Sequence, residues 1–222
     1  MAAGTPVRIL LVRHGETVFN VEGRWQGQSD SPLTERGLAQ ARELARALAE
    51  DPIAAIYSSD LGRAVDTATE VAKLHQLAVT TDQRLREIHT GAWTGKGRAE
   101  ITTEFPGGLQ TWATQPTSMR LPEGETLFEA QARALAFFAN RMPAHADQTV
   151  VVISHGAIGQ AILVNAMGGT VEDLWLKQRV DNCQISRLEW TPCQGLKLIE
   201  LSDVRHLEDV GSLRGWRTTD AA

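Results

Sequence analysis

The chain is short of several things, and each shortage excludes a class of protein. Only two cysteines occur in 222 residues, Cys183 and Cys193, so neither a disulfide framework nor a cysteine-based zinc ligand set can be assembled. Both are expected as buried or partly buried thiols of a reducing compartment. No apolar run approaches the roughly 20 residues of a membrane-spanning helix, and the opening MAAGTPVRIL has no basic leader followed by a long apolar region. The expected location is the cytoplasm. No block of Lys or Arg stands out and the formal net charge is -5, so no nucleic acid and no membrane is expected as partner. No P-loop of the form GxxxxGK(S/T) occurs, and the Gly-rich GAWTGKG follows no strand-like run, which leaves the dinucleotide fingerprint weak.

What is present suits a folded chain: 42% of residues are hydrophobic and 22% charged, enough to bury a core. One domain over residues 1–222 is expected, with a cap insertion at about 90–145 and a polar C-terminal tail at about 203–222. Val7 to Val12, Ile53 to Ser58, Leu77 to Thr81 and TVVVIS read as inner strands, and CQISRLEW with GLKLIELS as a late hairpin. Between them the period changes to that of helices. After Thr34, a candidate N-cap, Leu38, Ala41, Leu44, Ala45 and Leu48 form one stripe that Pro52 should end. LGRAVDTATEVAKLHQ, GETLFEAQARALAFFANRM and AIGQAILVNAMGG continue the rhythm. The expected class is α/β, a three-layer α/β/α build with a mostly parallel central sheet and a small helical and loop cap.

Two of these strands run into the same ending, Arg13-His14-Gly15 and Ser154-His155-Gly156. In an open parallel sheet the carboxyl ends of strands line the ligand crevice, so adjacent strands would bring His14 and His155 together. Gly15 and Gly156 would let backbone and ligand approach closely. The strand IAAIYSS leads to Arg63 on the first turn of the next helix, and Arg13 precedes His14 directly. Two guanidinium forks and two imidazoles match the oxygens of a phosphate dianion. A metal ion suits this set badly, since arginine neighbours repel a cation and no Asp or Cys has ligand spacing with either histidine. No metal and no cofactor is expected. One histidine can then act as nucleophile toward phosphorus, and Glu87 in LREIHTGAW is the carboxyl candidate for protonating the leaving alkoxide.

LVRHGET, SSDLGRAVDTA, LREIHTGAWTG and VVISHG together resemble, in order, the motifs of the histidine phosphatase superfamily, also called phosphoglycerate mutase-like. The resemblance runs from about Val7 to about Leu201. It implies that His14 is the phosphorylated nucleophile, that Arg13, Arg63 and His155 hold the phosphoryl oxygens, and that Glu87 is the acid and then the base. It also implies that Asn20 is a phosphate-pocket residue and that GRWQGQSDSPLTERG, with Gln26 and Gly27, is the substrate loop. A small-molecule phosphate ester is the implied partner, and a homodimer is left open.

Blander readings compete residue by residue. Glu87 could salt-bridge Arg84 or Arg86, Glu125 in PEGET could cap a helix or serve a lid, Asn182 could be a turn residue, and Trp25, Trp93 and Trp112 could be rim or core. Three functions remain: a phosphomonoester hydrolase, a phosphoglycerate-type mutase, and a non-catalytic phosphate-binding protein. Hydrolysis is favoured, because the stretch from Gly91 to Val150 is shorter than the resemblance implies for mutases. It offers only Lys96, Arg98, Arg120, Arg133 and Arg141 to a second phosphate. The pattern is most similar to broad-specificity and phosphoserine-type phosphatases, including TWATQP, PEGET and LWLKQRVDN, although Thr90 stands where phosphoserine-type members place a histidine.

Overall fold

The computed structural model describes residues 5–169 and 180–211. Its strands are β1 (Val7–Arg13), β2 (Ile53–Ser58), β3 (Val79–Thr81), β4 (Thr149–Ser154), β5 (Ile185–Thr191) and β6 (Gly195–Asp203). They make one sheet of six strands in the order β3-β2-β4-β1-β5-β6. The first four pair in parallel, and β5 and β6 add an antiparallel hairpin at one edge. β3 starts two residues later than the sequence suggests. Gln76 closes the preceding helix in the left-handed region and the Leu77 N–H still bonds back to the Ala72 carbonyl, so the chain is not yet free to pair.

Helices cover both faces of the sheet. Leu10, Val12, Val151 and Ile153 point to one side and pack on α2 (Glu35–Ala47) and α3 (Gly62–His75). Ile9, Leu11, Val150 and Val152 point to the other, against α6 (Leu127–Arg141) and α7 (Gly156–Ala166). That double burial is why β1 and β4 read as unbroken apolar runs. The shorter helices are α1 (Val18–Glu22), α4 (Arg98–Glu104) and α5 (Gly108–Thr114). Ile101, Trp112 and Leu121 from the expected cap share one apolar cluster with Phe137, Phe138 and Val150, so the cap is fastened to the sheet by core packing.

Local signals explain most helix ends. Thr34 caps α2 by accepting the Gly37 N–H, while Thr126 and Glu129 form a reciprocal capping box on α6. α2 ends at Ala47, before Pro52 can act, and Leu38 is only partly buried. Gln40 is buried in its place: its amide accepts the Glu16 N–H at 2.9 Å and donates to the Gly211 carbonyl at 2.9 Å. The expectation for the thiols holds for Cys183, which is buried, but Cys193 is exposed. It lies in the turn between β5 and β6. The polar tail begins in packed form, with Leu207 buried against α2, and its residues 212–222 lie outside the described ones.

Gly15 and Gly37 let the N-terminus of α2 press on the loop after β1. A Cβ on Gly37 would come within 2.0 Å of the Glu16 carbonyl oxygen, and one on Gly15 within 2.6 Å of the Gly37 oxygen. Helix propensity alone would make Gly37→Ala stabilising by about 1 kcal/mol. The backbone clash should win, giving a net destabilisation of about 1–3 kcal/mol in urea titration; a more stable variant would show that the contact is loose.

Candidate active site

The register of β1 on β4 sets Arg13 opposite Ser154, and the His14 N–H donates to the Ser154 carbonyl at 3.0 Å. The two histidines that follow therefore stand together, their ring centroids 5.2 Å apart and their planes at 59°. Both are buried. Nδ1 of His14 lies 2.7 Å from the Gly15 carbonyl oxygen. Since that oxygen can only accept, Nδ1 carries the hydrogen and a neutral ring keeps its lone pair on Nε2. Burial, helped by the charges of Arg63 and Arg13, holds His14 well below the ordinary imidazole value, although the Gly15 bond pulls the other way. Burial, then Arg63, His14 and Arg13, do the same to His155. Neither ring nitrogen of His155 has a hydrogen-bond partner among the described residues. A buried polar pair of this kind calls for a ligand.

Arg63, on the first turn of α3, is aimed by two backbone carbonyls: its guanidinium donates to Ser29 at 2.7 Å and Gly27 at 2.8 Å. Its buried Nε has no hydrogen-bond partner among the described residues. Burial draws its pKa down to about 10, partly offset by Glu87 and Asp30, so it stays charged at neutral pH. Arg13 is aimed in the same manner, donating to the Val180 carbonyl at 2.6 Å. Thr67, one turn beyond Arg63 on α3, accepts the Gly15 N–H at 3.0 Å and ties that helix to the histidine loop.

Glu87 lies beyond β3, after a 3₁₀ turn at Gln83–Leu85, rather than at the strand's end. Its carboxyl sits on the open N-terminus of α7: Oε2 accepts from Ala157 at 3.1 Å, and Oε1 accepts from Ile158 at 3.0 Å and Ile88 at 2.9 Å. The competing salt-bridge reading fails, because Arg84 is held by Asp82 and Arg86 by Asp60. Two other carboxylates are also committed. Glu16 is buried against Arg36 and the Thr34 hydroxyl. Glu125 pairs with Arg133, whose bonds, with the His89 N–H, outweigh the opposing effect of burial and hold its carboxyl below the usual range.

These residues open on a pocket of about 320 Å³, lined by Arg13, His14, Asn20, Gln26, Gly27, Arg63, Glu87 and Gly156 among others. His155 is not among the lining residues and packs against His14. The Oδ1 of Asn20 accepts from the Thr17 N–H at 3.1 Å and from Asn182 at 3.4 Å, which turns its NH₂ away from both. Gln26 presents a buried Oε1 with no hydrogen-bond partner among the described residues. Gly27 holds φ at +52° with Thr90 pressed against it, where a Cβ would meet the Thr90 hydroxyl at 2.1 Å. Gly156 is different: a Cβ there finds ordinary space, so the close approach expected of that glycine is not required by its neighbours. Trp25, Trp93 and Trp112 pack edge to face, with Trp25 and Trp112 reaching the pocket and Trp93 fully buried behind them.

Asn182 is the residue that sequence reasoning undervalued. It is fully buried, and its Nδ2 donates to the His14 carbonyl at 2.8 Å as well as reaching Asn20. Of the LWLKQRVDN segment, residues through 179 lie outside the described ones. Among the described residues no group of three or more His, Cys, Asp or Glu side chains is placed to hold a metal ion.

The pocket at the strand carboxyl ends of this α/β sheet, lined by Arg13, Arg63, His14 and Glu87 among others, suits a phosphate ester. The chain belongs to the histidine phosphatase superfamily, branch 1, whose family model matches residues 9–202. It is 35% identical over 169 residues to phosphoserine phosphatase 1 of Hydrogenobacter thermophilus, covering 76% of this chain and 80% of that protein. It is also 34% identical over 206 residues to a probable phosphoglycerate mutase GpmB of Enterobacter sp. strain 638, covering 91% and 95%. The structure of Bacillus stearothermophilus YhfR superposes with a TM-score of 0.86 at 32% identity, covering 91% of this chain and 100% of that one.

The buried histidines fix a pH dependence. Unfolded imidazoles take up protons as pH falls through about 6.5, whereas His14 and His155 in the fold resist until lower pH, so stability should drop as pH falls below about 6.5. Urea midpoints at about pH 7.5 and about pH 5 should differ less in a His14→Asn, His155→Asn double variant than in the parent. An equal drop would show that carboxylates alone carry the dependence.

Proposed function

We propose that the protein is a single-domain, cytoplasmic, metal-independent phosphomonoesterase that hydrolyses a small-molecule phosphate ester through a phosphohistidine on His14. The observation that carries this reading is the tautomer of His14, whose Nδ1 is committed to the Gly15 carbonyl so that Nε2 holds the lone pair in a buried, neutral ring. Arg13, Arg63 and His155 bind the phosphoryl oxygens, with the amide of Asn20 as a further donor. Nε2 attacks phosphorus, the ester P–O bond breaks, and the departing alkoxide takes a proton from Glu87. Oε2 of Glu87, with one protein donor against two on Oε1, is the oxygen suited to carry that proton. Water then attacks phosphorus, gives its proton to Glu87, and the P–N bond breaks to release phosphate and neutral His14.

A mutase needs a second anion site. Of the cations counted for that purpose, Lys96 pairs with Glu104, Arg120 with Glu129, Arg133 with Glu125 and Arg141 with Asp82. None of these, nor Arg98, lines the pocket. Arg24 does line it, but bonds Glu22 and the Gly95 carbonyl. This supports hydrolysis over phosphoryl return. A non-catalytic binder is disfavoured because the nucleophile, two arginines of the clamp and the acid candidate line one pocket, with His155 packed against the nucleophile. Phosphoserine, 3-phosphoglycerate, sugar phosphates and alpha-ribazole phosphate form the panel whose assay identifies the substrate.

Wild-type protein should trap label from its ester as acid-labile phosphohistidine, and His14→Ala should neither trap label nor turn over. Normal turnover by that variant would end the mechanism. Exhaustive EDTA treatment should leave activity intact; loss that a divalent ion restores would make the histidines ligands instead. In single turnover, Glu87→Gln should slow phosphoenzyme formation from an alkyl phosphate by roughly 10²–10⁴-fold and from p-nitrophenyl phosphate far less, because the latter leaving group needs little protonation. Arg63→Ala should slow both esters comparably.

A further inference from the structure

We infer that Arg133 on α6, braced by Glu125, is a positioning residue for Glu87 and sets where its carboxyl stands against the phosphate pocket. The inference rests on the acid role proposed for Glu87 and extends it to a side chain that does not line the pocket.

From the 3₁₀ turn Gln83–Leu85 onward the chain pairs with no strand among the described residues, so its partly buried carbonyls must find donors elsewhere. Arg133 supplies them. Nη1 donates to the carbonyls of Arg84 at 2.9 Å and Arg86 at 2.6 Å, and Nη2 donates to the carbonyl of Glu87 itself at 2.9 Å. The two remaining N–H groups go to Glu125, from Nε to Oε1 at 2.9 Å and from Nη2 to Oε2 at 2.8 Å. All five guanidinium hydrogens are thereby used, and one rigid plane sets all five directions. Glu125 is itself pinned to the same loop: it accepts the His89 N–H at 2.9 Å, and its own N–H donates to the His89 carbonyl at 2.9 Å.

Other side chains reach the carbonyls of this loop at single points. Gln28 donates to the Glu87 carbonyl at 3.1 Å and Ser154 to the Leu85 carbonyl at 2.9 Å. Arg133 holds three carbonyls and, through Glu125, a fourth residue, so it fixes the segment as a unit relative to α6. Since α6 packs on α7 in the same core, this also fixes the Glu87 carboxyl relative to the N–H groups of α7 that receive it. Lysine has no fork and at most three donors from one nitrogen, so it cannot reproduce the set. The loop would then be free to shift, and a misplacement of about 1 Å can cost of order 10²-fold in rate.

The test follows single-turnover phosphoenzyme formation in Arg133→Lys and Glu125→Gln, with Glu87→Gln alongside. Arg133→Lys should slow reaction of an alkyl phosphate about 10–100-fold and of p-nitrophenyl phosphate far less, the leaving-group signature of a misplaced acid. Inhibition by inorganic phosphate should stay within about twofold, because the clamp is not moved. Glu125→Gln keeps shape and the His89 bond but loses charge, so it should show the same discrimination at smaller size. If Arg133→Lys folds poorly, Glu125→Gln carries the comparison. Adding Arg133→Lys to Glu87→Gln should cost the alkyl ester nothing further. Should Glu87→Gln discriminate between the esters while the Arg133 and Glu125 variants slow both equally, or neither, the positioning inference falls and the acid stands. Should Glu87→Gln itself slow both esters equally, the acid assignment falls and the inference with it.

Discussion

The pocket depends on one register, Arg13 opposite Ser154 in the parallel pair β1 and β4. Side chains alternate along a strand, so a slip of one residue would turn either histidine to the wrong face. What enforces the register is apolar. Ile9, Leu11, Val150 and Val152 fill one core while Leu10, Val12, Val151 and Ile153 fill the other. A slipped strand would have to expose or overpack both layers at once. The contact between His14 and His155 is therefore held by hydrophobic burial several residues away, with the His14 N–H to Ser154 bond as its last rung.

Electrostatics in the pocket divide along the same line. Burial keeps both imidazoles neutral, which a nucleophile requires, while the guanidinium of Arg63, drawn down only to about 10, remains a cation. Arg63 is aimed by the backbone carbonyls of Gly27 and Ser29 rather than by a tight carboxylate partner, and Arg13 donates to the Val180 carbonyl. Carbonyls fix direction without cancelling charge, so the positive potential is left for an incoming dianion. Asp30, 3.8 Å from Arg63 and well exposed, is screened by water and weakens this little.

Strand ends were the legible part of the sequence. Arg13, His14, Arg63 and His155 follow apolar runs or open a helix beside one, and their convergence needs only the rule that parallel strands end at a common crevice. The fold class follows from the same alternation of periods. Less legible were residues whose role is a bond to backbone. Gln40 and Arg133 carry no motif, and Asn182 closes the LWLKQRVDN segment with nothing to mark its bond, because a carbonyl or an N–H can be met by many side chains from many places in the chain. Cys193 and the late start of β3 were missed for a related reason: both are settled by turn geometry rather than by periodicity.

That contrast has a physical order. His14 stands one residue beyond a central strand, so the sheet itself supplies most of its placement and a single amide, Asn182, completes it. Arg63 stands on the first turn of a helix packed on the sheet and needs two carbonyls to aim its fork. Glu87 stands six residues past an edge strand of three residues, where no ladder reaches. Its loop accordingly gathers bonds from Gln28, Arg133, Glu125 and Ser154. The farther a group stands from the sheet, the more side-chain bonds to backbone must replace the ladder, because each ordered loop residue costs about 1–2 kcal/mol of backbone entropy that strand pairing would otherwise have covered.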